Sequence, residues 1–139
     1  MLAGSRILST PVSDEFGLLI DHVHLRVGDL AASRRFYDAV VRALGLGITW
    51  EGEHAVEIRE LFLSDDGPPS GPIHIAFRAA DHEAVHRFHQ AALASGGRDN
   101  GAPGERGYHP GYFSAYALDP DGNNVEAVFH GRAATPPLL

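Results

Sequence analysis

Ile20-Asp21-His22-Val23-His24-Leu25-Arg26-Val27 returns later in the chain as Ile73-His74-Ile75-Ala76-Phe77-Arg78-Ala79. Sliding the sequence until His22 falls on His74 also brings Arg26 onto Arg78, Asp29 onto Asp81, Phe36 onto Phe88 and Gly45 onto Gly97. A repeat constrains architecture more than any single motif. Two copies are too few for a solenoid, so the chain reads as one domain built from two modules.

Each copy opens on a strand and runs into a helix. In the first, Ile20, His22, His24 and Arg26 alternate with Asp21, Val23, Leu25 and Val27, which is the period of a strand. Asp29 is placed to cap a helix. Leu30, Arg34, Tyr37, Val41 and Leu44 share one helical face, and Gly45 ends it. A short strand is expected over 47–50. Residues 56–64 read as β, with Ile58, Glu60, Phe62 and Ser64 on one face. A run of Asp, Gly, Pro and Ser over 65–72 closes the module.

The second module repeats the plan. Residues 73–79 form a strand, Asp81 caps a helix reaching about Ser95, and Gly96-Gly97 ends it. Within that helix His82, His86 and His89 read as a solvated face. Residues 99–111 are too rich in Gly and Pro to predict an element. Residues 112–118 are a strand, Asp119-Pro120-Asp121-Gly122 a tight turn, and 124–130 a closing strand. The expected fold is α+β: two βαβββ modules forming a curved mixed sheet, with helices outside and a concave pocket. The modules occupy 18–66 and 72–131, flanked by an extension (1–17) and a tail (132–139).

Composition narrows the function. The net charge of −7 argues against nucleic acid, which needs clustered cations. No run of 18 apolar residues predicts a membrane span, and the first 17 residues do not read as a signal peptide. The absence of cysteine excludes thiolate ligands and suits a reducing cytoplasm. Nine histidines raise the question of a metal.

Three stretches carry a resemblance. They are Asp21 to Val27 followed by Asp29 and Phe36-Tyr37, then His74-Ile75-Ala76-Phe77, then Asp119-Pro120-Asp121-Gly122-Asn123-Asn124-Val125-Glu126. In this order they resemble the vicinal oxygen chelate superfamily of glyoxalase I, bleomycin-resistance proteins and extradiol dioxygenases. The resemblance covers about residues 18–131. It implies that the two first strands pair side by side, and that a divalent metal (Fe, Mn, Ni, Co or Zn) is held by His22 and His74 on them and by Glu126 on the last strand. Glu60 is the first-module equivalent of Glu126, since Glu60-Leu61-Phe62-Leu63 parallels Glu126-Ala127-Val128-Phe129, and the resemblance makes it the fourth ligand. Two His with one or two carboxylates leave positions open to substrate. His24 shares a face with His22 and is a possible substitute ligand.

Gly107-Tyr108-His109, Ala115-Tyr116 and Glu126 together are similar to the extradiol dioxygenase signature. That similarity implies catalytic roles for His109 in proton transfer, Tyr116 in binding substrate and Glu126 at the metal. Ala115 departs from it, as does the single-domain length. The implied function is a lyase or isomerase of glyoxalase type, or an extradiol-type dioxygenase, acting on a small molecule with vicinal oxygens. The alternative is a bleomycin-resistance-type protein that binds a small molecule without catalysis. Members of the superfamily are often homodimers whose modules share a site between chains.

Overall fold

The repeat in sequence is a repeat in structure. A computed structural model describes residues 19–131; the expectations for 1–17 and 132–139 lie outside them. The first module contains β1 (Val23–Arg26), α1 (Leu30–Ala43), β2 (Trp50–Glu51), β3 (Ala55–Ile58) and β4 (Leu61–Ser64). The second contains β5 (His74–Arg78), α2 (His82–Ala94), β6 (Arg98–Glu105), β7 (Phe113–Leu118) and β8 (Asn124–Phe129). Each module is βαβββ, and each makes its own four-stranded mixed sheet. The sheet orders are β1-β4-β3-β2 and β5-β8-β7-β6.

Both helices start where the sequence placed them. The Asp29 carboxylate accepts from the Ala32 N–H at 3.1 Å, and that of Asp81 from the Ala84 N–H at 2.8 Å. These bonds satisfy donors that a helix start leaves orphaned. Gly45 takes φ 87° just past α1, a conformation that costs other residues more. The turn before β8 is equally well specified. Gly122 has φ 89°, and its N–H donates to the Asp119 carbonyl.

Strand alternation sorts each sheet into a helix-covered face and an open face. Leu25, Val27, Val56, Leu61 and Leu63 point into the core with Phe36, Tyr37 and Val40 of α1. Val125, Ala127, Ala115 and Ala117 do the same beneath Val85, Phe88 and Ala92 of α2. Each large side chain buried this way contributes ~1.5–3 kcal/mol. The modules are tied through Tyr37, fully buried, whose hydroxyl donates to Asp119 at 2.6 Å. Close approach at the same seam requires Gly97, because a Cβ there would collide with the Phe36 ring.

Four expectations need correction. Residues 56–64 are not one strand: they turn at Arg59-Glu60, with Arg59 at φ 55°. Residues 99–111 do contain an element, since β6 runs from Arg98 to Glu105. Its register against β7 shifts on either side of Gly101. Such bulges erase the period-two signal. The two first strands are not paired with each other. β1 bonds to β4 and β5 to β8, both parallel. Finally, the α2 histidines are not a plain solvated face. His82 stacks on Phe113 at 4.0 Å, and buried His89 bonds Asp99 at 2.9 Å.

Candidate functional site

The parallel pairing of β5 with β8 sets the chemistry. Ala76 lies opposite Glu126, so His74, two residues earlier on the same face, reaches diagonally across to it. His74 Nε2 and Glu126 Oε1 are 2.8 Å apart. Glu126 is 1% exposed while its carboxylate is fully engaged, because Tyr112 donates its hydroxyl to Oε2 at 2.6 Å. A carboxylate so deeply buried needs such partners. Tyr116 is the cross-strand neighbour of Glu126 on β7, and its ring centroid lies 6.0 Å from that of His74. Both tyrosines have raised pKa values. Burial is the main cause in each; the bond to Glu126 adds to it for Tyr112.

His109 lies in the loop between β6 and β7. Its ring meets the edge of Tyr112 at 5.3 Å and stacks on His130, with Nε2 and Nδ1 of the pair 2.9 Å apart. The loop histidine therefore sits beside the tyrosine that holds Glu126. Arg106 lies over the Tyr116 ring at 5.2 Å.

The first sheet carries a related device. His24 Nε2 is 2.7 Å from Ser64 Oγ, and the Ser64 hydroxyl donates to Asp66, which also accepts from Arg26 Nε. Because the hydroxyl proton goes to the carboxylate, His24 Nε2 must donate. His22 lies just outside β1, largely exposed, with Nδ1 2.8 Å from Asp21. Glu60 is exposed in the β3–β4 turn. With Arg59 and residues 75–78 it lines a cleft of about 350 Å³ between the modules.

Register decides which residue answers Glu126 in the first module. His24 lies opposite Phe62 as Ala76 lies opposite Glu126. Phe62 is the equivalent position, and Glu60 matches Asn124 instead.

The donors can be tested against a metal. Adjacent ligands on an ion with bonds of ~2.0–2.2 Å lie about 3 Å apart, which the His74–Glu126 spacing fits. The Tyr112 bond to the second carboxylate oxygen is the support that a monodentate ligand needs. Among the described residues of one chain, however, no group of three or more His, Cys, Asp or Glu is placed to hold an ion. One chain thus brings together two candidate donors, His74 and Glu126.

Sequence reading did not single out Tyr112, Arg106 or the Ser64–Asp66 relay. Tyr112 was within reach, since period two puts 112, 114 and 116 on one face. The others depend on contacts between strands that no local pattern encodes.

The family model of the Glyoxalase/Bleomycin resistance protein/Dioxygenase superfamily matches residues 19–127. The crystal structure of a glyoxalase/bleomycin resistance protein from Albidiferax ferrireducens T118 is similar at 31% identity. The match covers 78% of this chain and 97% of that one, with a TM-score of 0.71. Lactoylglutathione lyase from Agrobacterium tumefaciens is 25% identical over 79% of this chain and 92% of its own, with a TM-score of 0.59. A glyoxalase I mutant from Zea mays shares the fold at 23% identity and a TM-score of 0.62. There the match covers 84% of this chain but 46% of that one. No curated protein matches the chain.

Proposed function

The chain belongs to the Glyoxalase/Bleomycin resistance protein/Dioxygenase superfamily, and we propose that it is a metal-dependent enzyme acting on a small molecule with vicinal oxygens. The observation that carries this reading is the pair of exposed His74 and buried Glu126, 2.8 Å apart and backed by Tyr112. His74 and Glu126 would hold a divalent ion, with His22 of a second copy as the third ligand. Bound there, the ion would supply Lewis acidity toward two adjacent substrate oxygens. With Phe62 where a second carboxylate would stand, two His and one Glu leave positions open for substrate. That set favours the dioxygenase-type branch over the four-ligand glyoxalase type.

The remaining roles fall to this chain's own groups. Tyr112 fixes the carboxylate of Glu126 by holding Oε2. Tyr116, beside both ligands, is placed to donate its hydroxyl to substrate. The His109–His130 pair, next to Tyr112, can hold a proton between its two ring nitrogens and release it toward the site.

A second reading has its own support. His74 and Glu126 satisfy each other without a metal, as a pocket that only binds small molecules requires. Elemental analysis of protein purified without a metal-affinity step separates the two. Stoichiometric transition metal, weakened at least ~10-fold by His74→Ala and by Glu126→Gln, supports the enzyme. No metal as purified and none on reconstitution leaves the binding protein. Oxygen uptake with catechols, against turnover of methylglyoxal plus glutathione, then assigns the branch.

A further inference from the structure

We propose that Arg106 is the anchor for a carboxylate on the substrate. This rests on the reading above of where the vicinal oxygens bind, and it adds a charge requirement to that same site.

The other arginines of the described chain are occupied or elsewhere. Arg26 bonds Asp66, Arg34 bonds Glu51 and Arg42 bonds Asp38. Arg87 reaches the Ala43 carbonyl. Arg35 lies exposed on α1, Arg59 and Arg78 line the cleft between the modules, and Arg98 opens β6 opposite Leu118. Arg106 differs from all of these. Its guanidinium carbon lies over the Tyr116 ring, 5.2 Å from the centroid, and that ring in turn lies 6.0 Å from the His74 ring.

The strand is built to keep it there. Nη2 donates to the Ala102 carbonyl at 2.7 Å. A Cβ on Gly104 would come within 3.1 Å of Nη1. A Cβ on Gly101 would strike the Tyr116 ring at 2.8 Å and sit 3.4 Å from Nη2. Two glycines thus leave the slot in which the guanidinium rests on the aromatic face, a favourable contact for a cation.

No carboxylate among the described residues lies within ion-pair distance of Arg106, and its hydrogen bond to protein leaves Nε and Nη1 open. A permanently charged fork held half-buried with open donors matches a planar carboxylate. The chain as a whole is acidic, at −7, and repels anions at long range. Binding one therefore takes a dedicated local cation, which Arg106 provides.

The test compares two ligands that differ only in charge, 3,4-dihydroxybenzoate and its neutral amide, by calorimetry on the metal-loaded full chain. Wild-type protein is expected to bind the acid at least ~10-fold tighter than the amide. Arg106→Gln should bind the two equally, and Arg106→Lys should keep only part of the preference. Gly104→Ala, which crowds Nη1 without touching the charge, should also reduce it. An acid preference that survives Arg106→Gln, or its absence in the wild type, would overturn the proposal. Metal content of the same preparations keeps this apart from the enzyme reading. Protein without metal that still shows an Arg106-dependent acid preference would retain the anion site and lose the enzyme. Metal binding with no acid preference would do the reverse.

Discussion

Phe62 holds in the first sheet the register position that Glu126 holds in the second. Opposite each stands the residue two beyond a repeated histidine: His24 after His22, Ala76 after His74. The repeat therefore shares the histidine but not the carboxylate. Glu60, at the turn and two residues before Phe62, occupies the position of Asn124, two before Glu126. Glu60→Gln is expected to leave metal content and affinity unchanged, while Glu126→Gln weakens affinity at least ~10-fold. Loss of metal in Glu60→Gln, read by elemental analysis, would instead establish a four-ligand site.

Tyr112 is the support on which Glu126 depends. Removing its hydroxyl leaves Oε2 of a carboxylate that is 1% exposed without its donor. Tyr112→Phe should cost about 1–3 kcal/mol of stability, the penalty of an unmade buried hydrogen bond. It should also weaken metal binding ~10-fold or more through the ligand it steadies. Denaturant unfolding and metal titration measure the two effects separately. Wild-type metal affinity in a destabilised variant would mean that Tyr112 serves the fold alone.

The elements of the fold were legible because the repeat and the caps are local signals. Asp29, Asp81 and Gly45 mark helix ends wherever the chain folds. The pairing of strands was not, because it depends on contacts that local sequence does not encode. Glu60 and Glu126 each begin a similar four-residue run, and only the register shows them to be two residues out of step. β6 escaped notice for a different reason. A strand that passes through Gly101 and Gly104 has too few side chains to alternate, and it is recognised only by its ladder to β7. The site divides the same way. His74 and Glu126 stood out as repeat and motif, whereas Arg106 and Tyr112 acquire meaning only from what lies across the sheet.

The seam between modules makes a stability prediction. Asp119 is buried and accepts from the Tyr37 hydroxyl, the Asn123 side chain and the N–H groups of Asp121 and Asn123. It thereby ties α1 of one module to the β7–β8 turn of the other. Tyr37→Phe keeps the ring packing and removes one of these bonds, for an expected loss of about 1–3 kcal/mol. Asp119→Ala strands several donors at once and should cost more. An unfolding midpoint for Tyr37→Phe equal to that of wild type would show that ring packing, and not the bond, is what the seam requires.

Acid should loosen the β1 edge. The Ser64 hydroxyl, and then Arg26, hold the Asp66 carboxyl below the usual carboxylate range. Asp99 is held low chiefly by the Gly101 N–H and then by His89. A depressed folded-state pKa contributes stability above the ordinary value of about 3.9 and loses it as pH falls through the folded value. Both carboxylates face water, so each effect is small and screened. Thermal unfolding from pH 6 down to pH 2 should show a steeper decline for wild type than for a double variant, Asp66→Asn with Asp99→Asn. Parallel curves would assign the acid sensitivity to other groups.

The proposed sharing of a metal between two chains leads to the last prediction. His74 and Glu126 converge within one sheet, but His22 stands beside Asp21 on the other. The outer edge of β5 has no strand partner among the described residues, and unpaired edges recruit strands. If His22 of a second copy completes the site, two defective chains should repair each other. His22→Ala and His74→Ala homodimers should each lose metal. In their mixed dimer one site carries both lesions and the other carries neither, so co-expressed and separately tagged chains should recover metal at about half the wild-type stoichiometry. Were the ligands all drawn from one chain, every site in the mixed dimer would carry one lesion and none would recover. Metal content of the doubly tagged species decides between the two arrangements without any substrate being known.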